Sequence, residues 1–144
     1  MSASATNADE FIAAASRFLD ALEQRDLHTA SEVIDSVMSP DGTLISAIGS
    51  ELDGRTYRGP EEIKRWFAES LAVMSVDYSE REWRSTENAV LFLGRYTLTG
   101  RASDAEVVTH IGVIWELEDG VCRRARSYPT QHEALAAWEG LSNA

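Results

Sequence analysis

The apolar residues of this chain change their spacing once, near residue 75, and that change limits the folds open to it. Up to that point they recur every three or four positions, the period of an amphipathic helix. Phe11, Ile12, Ala15, Phe18, Leu19 and Leu22 share one face of a first helix, with Asn7 as its cap and Glu10 in the capping-box position. Asp26 caps a second helix carrying Leu27, Ala30, Ile34, Val37 and Met38. Pro40-Asp41-Gly42 stops that helix, because proline cannot continue the backbone ladder. Residues 43–48 read as a short strand and 49–59 as a loop punctuated by glycines. Pro60 opens a third helix with Glu61 and Glu62 at its positive end, and Ile63, Trp66, Phe67, Leu71 and Met74 form its apolar stripe. From Val76 the spacing falls to two, and 76–86, 89–101, 106–118 and 121–128 read as four long strands. Their turns are Glu87-Asn88, Ser103-Asp104 and Asp119-Gly120, the last suited to a two-residue type I′ hairpin. Pro129 precedes a short final helix with Thr130 and Glu133 as a second capping box.

Helices gathered in the first half and an antiparallel meander in the second imply an α+β domain. A strongly twisted sheet, covered on one face by three helices, would form a cone with a cavity inside. The length of 144 residues suits one domain over 1–144, with 1–8 and 142–144 as flexible tails. An apolar share of 44% excludes global disorder, and no apolar run approaches the roughly 20 residues of a membrane span. The formal charge of −11 argues against nucleic acid and anionic membrane surfaces as partners, since both select for Lys and Arg. A single cysteine, Cys122, excludes an internal disulfide and a multi-cysteine zinc site, and three scattered histidines give no metal-ligand spacing. No cofactor is expected. Residues 1–9 lack a basic and apolar signal pattern, so the expected location is cytoplasmic.

Three segments in this order resemble the nuclear-transport-factor-2-like superfamily, in its SnoaL-like and ketosteroid-isomerase-like branches. Residues 17–27 look like its first helix and the turn into its second. Tyr57-Arg58-Gly59-Pro60-Glu61-Glu62-Ile63 looks like the opening of its third helix. Ile114 through Gly120, then Tyr128 and Glu133-Ala134-Leu135, look like its closing hairpin and last helix. The resemblance implies a cone-shaped, mostly antiparallel sheet of the cystatin-like α+β type. It does not fix function, because the superfamily hosts isomerases, cyclases, dehydratases, epoxide hydrolases and non-catalytic binders.

The catalytic patterns of two branches are not matched. Steroid isomerisation needs a carboxylate base with a Tyr and a protonated Asp as oxyanion donors. The resemblance puts the Tyr position on Phe18, the base position at or near Ser46 and the Asp position near Val113. The epoxide-hydrolase pattern pairs an Arg with an Asp two residues on, where this chain has Arg95-Tyr96-Thr97.

Strand alternation supplies the remaining candidates. A two-residue turn at Asp119-Gly120 pairs Leu117 with Cys122, Trp115 with Arg124, Val113 with Arg126 and Ile111 with Tyr128. Thr109, Val113, Trp115, Arg124, Arg126 and Tyr128 then share the more apolar face, which should line the cavity, while His110 points away. The two arginines there must pair with carboxylates, such as Glu51 or Asp53, or bind an anion. In the family's geometry Phe18, Trp66, Trp115 and Tyr128 converge on the cavity. Tyr78 also faces inward, in phase with Val76. The expected ligand wall is therefore Phe18, Trp66, Tyr78, Thr109, Val113, Trp115 and Arg124, with Arg126, Tyr128 and Arg95 as the groups that would polarise an oxygen.

Both faces of strand 89–101 are apolar, since Val90, Phe92, Tyr96 and Leu98 alternate with Leu91 and Leu93. One face can cover the cavity and the other needs a second partner. The superfamily's habit of pairing through this face implies a homodimer. Two functions follow from the sequence: an enzyme acting on a small apolar or aromatic molecule without a cofactor (a cyclase, isomerase or dehydratase), or a binder holding such a molecule without changing it.

Overall fold

A computed structural model describes residues 3–46, 55–103 and 105–142. The chain order is α1 (Ala3–Glu23), α2 (Leu27–Val37), β1 (Met38–Ser46), β2 (Arg55–Arg58), α3 (Gly59–Val73), β3 (Met74–Ser85), β4 (Ala89–Gly100), β5 (Glu106–Glu118), β6 (Val121–Tyr128) and α4 (Gln131–Ser142). The six strands form one open, curved sheet in the order β2-β1-β6-β5-β4-β3. Only the β1–β6 pairing is parallel, so the sheet is mixed but mostly antiparallel, and the α+β class is as expected. No described helix is long and apolar enough to cross a membrane.

The local signals explain most boundaries. Asp26 caps α2 by accepting from the Thr29 amide at 3.1 Å. Thr130 accepts from the Glu133 amide at 3.1 Å and donates to its carboxylate at 3.0 Å, closing the box before α4. Asp119 and Gly120 both take positive φ, 53° and 83°, as a type I′ turn requires.

Several boundaries differ. The backbone is helical from Ala3, so Asn7 lies within α1, Ala8 is buried and most of the expected N-terminal tail is helix; α4 likewise extends to Ser142. β1 begins at Met38 and runs through Pro40-Asp41-Gly42, its pairing with β6 interrupted by an irregularity between Met38 and Thr43 that absorbs the proline. β2 was expected as loop; its four residues pair with β1 at the sheet edge. Most of the expected 49–59 loop, the end of the 43–48 strand and Asp104 of the third turn lie outside the described residues.

α1, α2 and α3 pack on the concave face. Their stripes meet the inner faces of the strands in clusters around Leu22, Ile63 and Phe92, each 2% exposed or less. Full burial of such a side chain contributes roughly 1.5–3 kcal/mol. Two arginines fix the helices to the sheet. Arg25, at φ 61° after α1, donates to the Leu71 and Met74 carbonyls at the end of α3. Arg81 follows Glu80, which takes φ 51° in a break of the β3–β4 register. Its guanidinium lies 2.9 Å from Asp20 and 3.3 Å from Glu23, and Glu23 also accepts from the Tyr78 amide at 2.7 Å.

α4 packs on the opposite, convex face. Ala134 and Trp138 cover Ala89, Leu91, Leu93 and Ile114. The helix comes so close that a Cβ on Gly112 would collide with Ala134. The second apolar face of β4 thus finds its cover within the same chain.

The β5–β6 hairpin carries the largest correction. Its pairing starts in the expected register, Glu118 with Val121 and Leu117 with Cys122. A bulge then leaves Arg123 without a partner, and beyond it Glu116 pairs with Arg124, Trp115 with Ala125, Ile114 with Arg126, Val113 with Ser127 and Gly112 with Tyr128. One extra residue on one strand reverses every later side chain. Arg124, Arg126 and Tyr128 therefore leave the concave face, and Ala125 and Ser127 take their places.

Candidate functional site

Between the three helices and the concave face lies a cavity of about 120 Å³. Its helical walls include Phe11, Ala15 and Phe18 of α1, Val33 and Ile34 of α2, and Ile63, Trp66 and Phe67 of α3. The sheet contributes Ser46 of β1, Tyr78 of β3, Phe92 and Tyr96 of β4, Ile111, Val113 and Trp115 of β5, and Cys122, Ala125 and Ser127 of β6. Aromatic pairs stiffen the walls. Phe18 meets Phe67 edge-on at 5.0 Å, Trp66 lies 4.6 Å from Phe67, and Phe11 lies 5.5 Å from Trp115. Tyr78 and Tyr96 stack at 4.9 Å.

The polar inventory is short and uncharged. Among the described residues the wall holds no carboxylate, imidazole, ammonium or guanidinium. Its titratable groups are Tyr78, Tyr96 and Cys122. Burial pushes the Tyr78 hydroxyl well above the usual phenol range, with the neighbouring Tyr96 adding to the shift. Burial raises Tyr96 to about 12 against a smaller opposing effect of its hydrogen bond with Tyr78. The Cys122 thiol is likewise pushed up to about 12 by burial. All three are neutral at neutral pH. Ser46 and Ser127, 2% and 7% exposed, contribute the remaining hydroxyls.

The expected site divides into two. Phe18, Trp66, Tyr78, Val113 and Trp115 meet in the cavity. Thr109 lies opposite Tyr96 on β5 but outside the cavity wall. Arg124, Arg126 and Tyr128 line a separate cleft on the convex face with α4. There Arg124 lies 3.8 Å from Glu116, and the Arg126 guanidinium sits over the Tyr128 ring at 5.1 Å. The expected partners Glu51 and Asp53 lie outside the described residues. Arg95 is exposed on the convex side of β4, opposite an exposed His110. None of the three groups expected to polarise an oxygen reaches the cavity, because the bulge turns two of them outward and alternation places Arg95 behind Tyr96.

Several wall residues were missed. Tyr96 was readable from its alternation with Phe92. Ala125 and Ser127 were not, because their inward direction depends on the bulge. Phe18, Ser46 and Val113, at or near which the isomerase resemblance puts the three roles, do line the one cavity.

An α+β fold with an apolar cavity between its helices and its curved sheet defines the class. Residues 15–125 match the SnoaL-like domain, and the chain belongs to that family. No curated protein matches it. Solved structures match over most of their length. A protein with a ketosteroid isomerase-like fold from Catenulispora acidiphila, in complex with trimethylamine, is 16% identical, with 85% of this chain and 89% of that one covered and a TM-score of 0.66. An LEH-like epoxide hydrolase from M. tuberculosis is 18% identical, with 90% and 84% covered and a TM-score of 0.67. An NTF2-like protein from Burkholderia xenovorans is 16% identical, with 90% and 96% covered and a TM-score of 0.68. At these identities the likeness is one of fold.

Proposed function

We propose that this protein holds a small, flat, uncharged apolar molecule, an arene or fused ring with one hydroxyl or carbonyl, and releases it unchanged. The observation that carries this reading is the chemistry of the three positions where an isomerase of this fold needs its acid and base groups. At or near those positions the resemblance puts Phe18, Ser46 and Val113, in a wall whose titratable groups, among the described residues, all stay neutral. A general base must be ionised, or poised to accept a proton, near the working pH. An apolar cavity of about 150 Å³ admits benzene, so the roughly 120 Å³ here suits a single ring and takes a fused pair only as the walls open.

Titration with 2-naphthol, followed through tryptophan emission, tests the reading. Trp66 and Trp115 stand in the wall. Ala15→Leu, which fills the cavity from α1, should weaken binding at least roughly tenfold by occupying ligand volume. Recovered 2-naphthol, and any molecule found with the protein by native mass spectrometry, should have unchanged mass and isomeric form. Saturable binding that ignores Ala15→Leu, or catalytic conversion of the bound molecule, would refute the proposal. Pairing of two copies through the part of the convex face that α4 leaves open belongs to the same reading of the molecule.

A further inference from the structure

The bulge that empties the cavity of charge builds a second concavity on the other side of the sheet. This cleft, about 220 Å³, is walled by Ile114, Ala137 and Leu141 on its apolar side and by Glu116, Arg124, Arg126 and Tyr128 on its polar side. Arg126 has no carboxylate partner among the described residues, and its guanidinium rests over the Tyr128 ring. A guanidinium that uses its face on an aromatic ring keeps its edge N–H donors for a planar anion. Arg124 is only loosely held, 3.8 Å from Glu116, so it can turn toward the same anion. Leu141, 41% exposed, leaves an apolar surface uncovered at the rim of the cleft. On a chain of net charge −11, the cleft's two arginines against its one carboxylate, Glu116, leave a local excess of one positive charge over an apolar floor.

We infer that this cleft is a binding site for a small amphiphilic carboxylate, its anionic head on Arg126 and Arg124 and its hydrocarbon body against Ile114, Ala137 and Leu141. The site is separate from the cavity. The sheet lies between them, with Ala125 and Ser127 facing one way while Arg124 and Arg126 face the other. The two sites also select by charge: the cavity wall is neutral and takes an uncharged molecule, whereas the cleft requires an anion. The inference stands on the cleft's own residues and does not need the cavity to hold a ligand.

2-Naphthoate is the probe, with 2-naphthol as its uncharged counterpart. Backbone amide shifts on titration with 2-naphthoate should map to Ile114, Ala137 and Leu141, and affinity should fall as salt is raised. Arg126→Gln should weaken 2-naphthoate roughly tenfold, the loss expected for one charge-assisted contact at a partly solvated site. Arg124→Gln should weaken it less, since that residue is shared with Glu116. Ala15→Leu, on the far side of the sheet, should leave 2-naphthoate affinity unchanged. Shifts confined to cavity residues, equal affinity in Arg126→Gln, or no saturable binding at millimolar 2-naphthoate would each overturn the inference. A failure of 2-naphthol to bind would count against the cavity reading alone.

Discussion

Cys122, Tyr78 and Tyr96 carry the only ionisable protons of the described cavity wall, and burial holds all three in the neutral form. That has a consequence for stability. A group whose folded pKa is raised binds its proton in the folded state at a pH where the unfolded chain has released it. Its contribution is complete below the unfolded value and is lost as pH rises through the folded one. Cys122 moves from 9.0 and Tyr96 from 10.0, each to about 12. These groups should leave the urea midpoint unaffected between pH 7 and roughly 9, then lower stability by about 1.4 kcal/mol per pH unit for each group titrating. Urea unfolding at pH 8, 9.5 and 11 measures this, and an equal midpoint at all three values contradicts it. At this scale the sequence was informative where a side chain belongs to a strong periodic pattern. Phe18 and Trp66 lie on helical stripes, Val113 and Trp115 on an alternating strand, and all four reach the cavity. Arg124, Arg126 and Tyr128 did not, because their direction depends on one residue upstream rather than on their own chemistry.

That residue, Arg123, belongs to the scale of the hairpin. Asp119-Gly120 fixes the first two pairs, as its turn type dictates, but nothing in Val-Cys-Arg-Arg-Ala marks which residue will bulge. A bulge relieves a global conflict: unbulged, the strand would point two guanidinium groups into an apolar cavity, and bulged, it points Ala125 and Ser127 there instead. Inserting one alanine after Arg123, with the one-residue bulge kept, would set Arg124 opposite Trp115 and drive Arg124 and Arg126 inward. An unpaired charge in an apolar site costs several kcal/mol, which for a domain of this size corresponds to a loss of roughly 10–20 °C in Tm, or of folding altogether. Arg123→Ala keeps the backbone and removes only the exposed pair with Glu118, at 2.9 Å, so its Tm should stay within about 2 °C. Thermal unfolding by circular dichroism compares the two variants, and an insertion variant as stable as Arg123→Ala would remove this account of the bulge. β2 escaped the sequence reading for a related reason. Four residues beside a helix start carry too short a pattern to show alternation, and their strand state comes from pairing with β1.

At the scale of the whole molecule, the period change located both layers correctly, and the two-sided apolar character of β4 correctly demanded a second cover. It did not say which. α4 fills that role over Leu91, Leu93 and Ile114, and a part of the convex face beside it stays open. Arg95, His110 and Val108 are exposed there, with Asp77 across β4 on one side and Glu106 at the start of β5 on the other. A two-fold contact joins a patch to its own copy, so the patch must be self-complementary. This one carries both signs, and an antiparallel docking sets the Arg95 and His110 side of one copy against the Asp77 side of the next. Such a contact also answers the mutual repulsion of two chains that each carry −11. Light scattering at micromolar protein should therefore read about twice 15.9 kDa. Raising salt to about 1 M should shift the mass toward the single chain, because screening at that strength acts within roughly 3 Å. Arg95→Asp should do the same at low salt, since it places like charges opposite each other. A mass of one chain under all conditions removes the dimer. A dimer indifferent to both salt and Arg95→Asp would instead place the contact elsewhere, on a surface held by apolar burial.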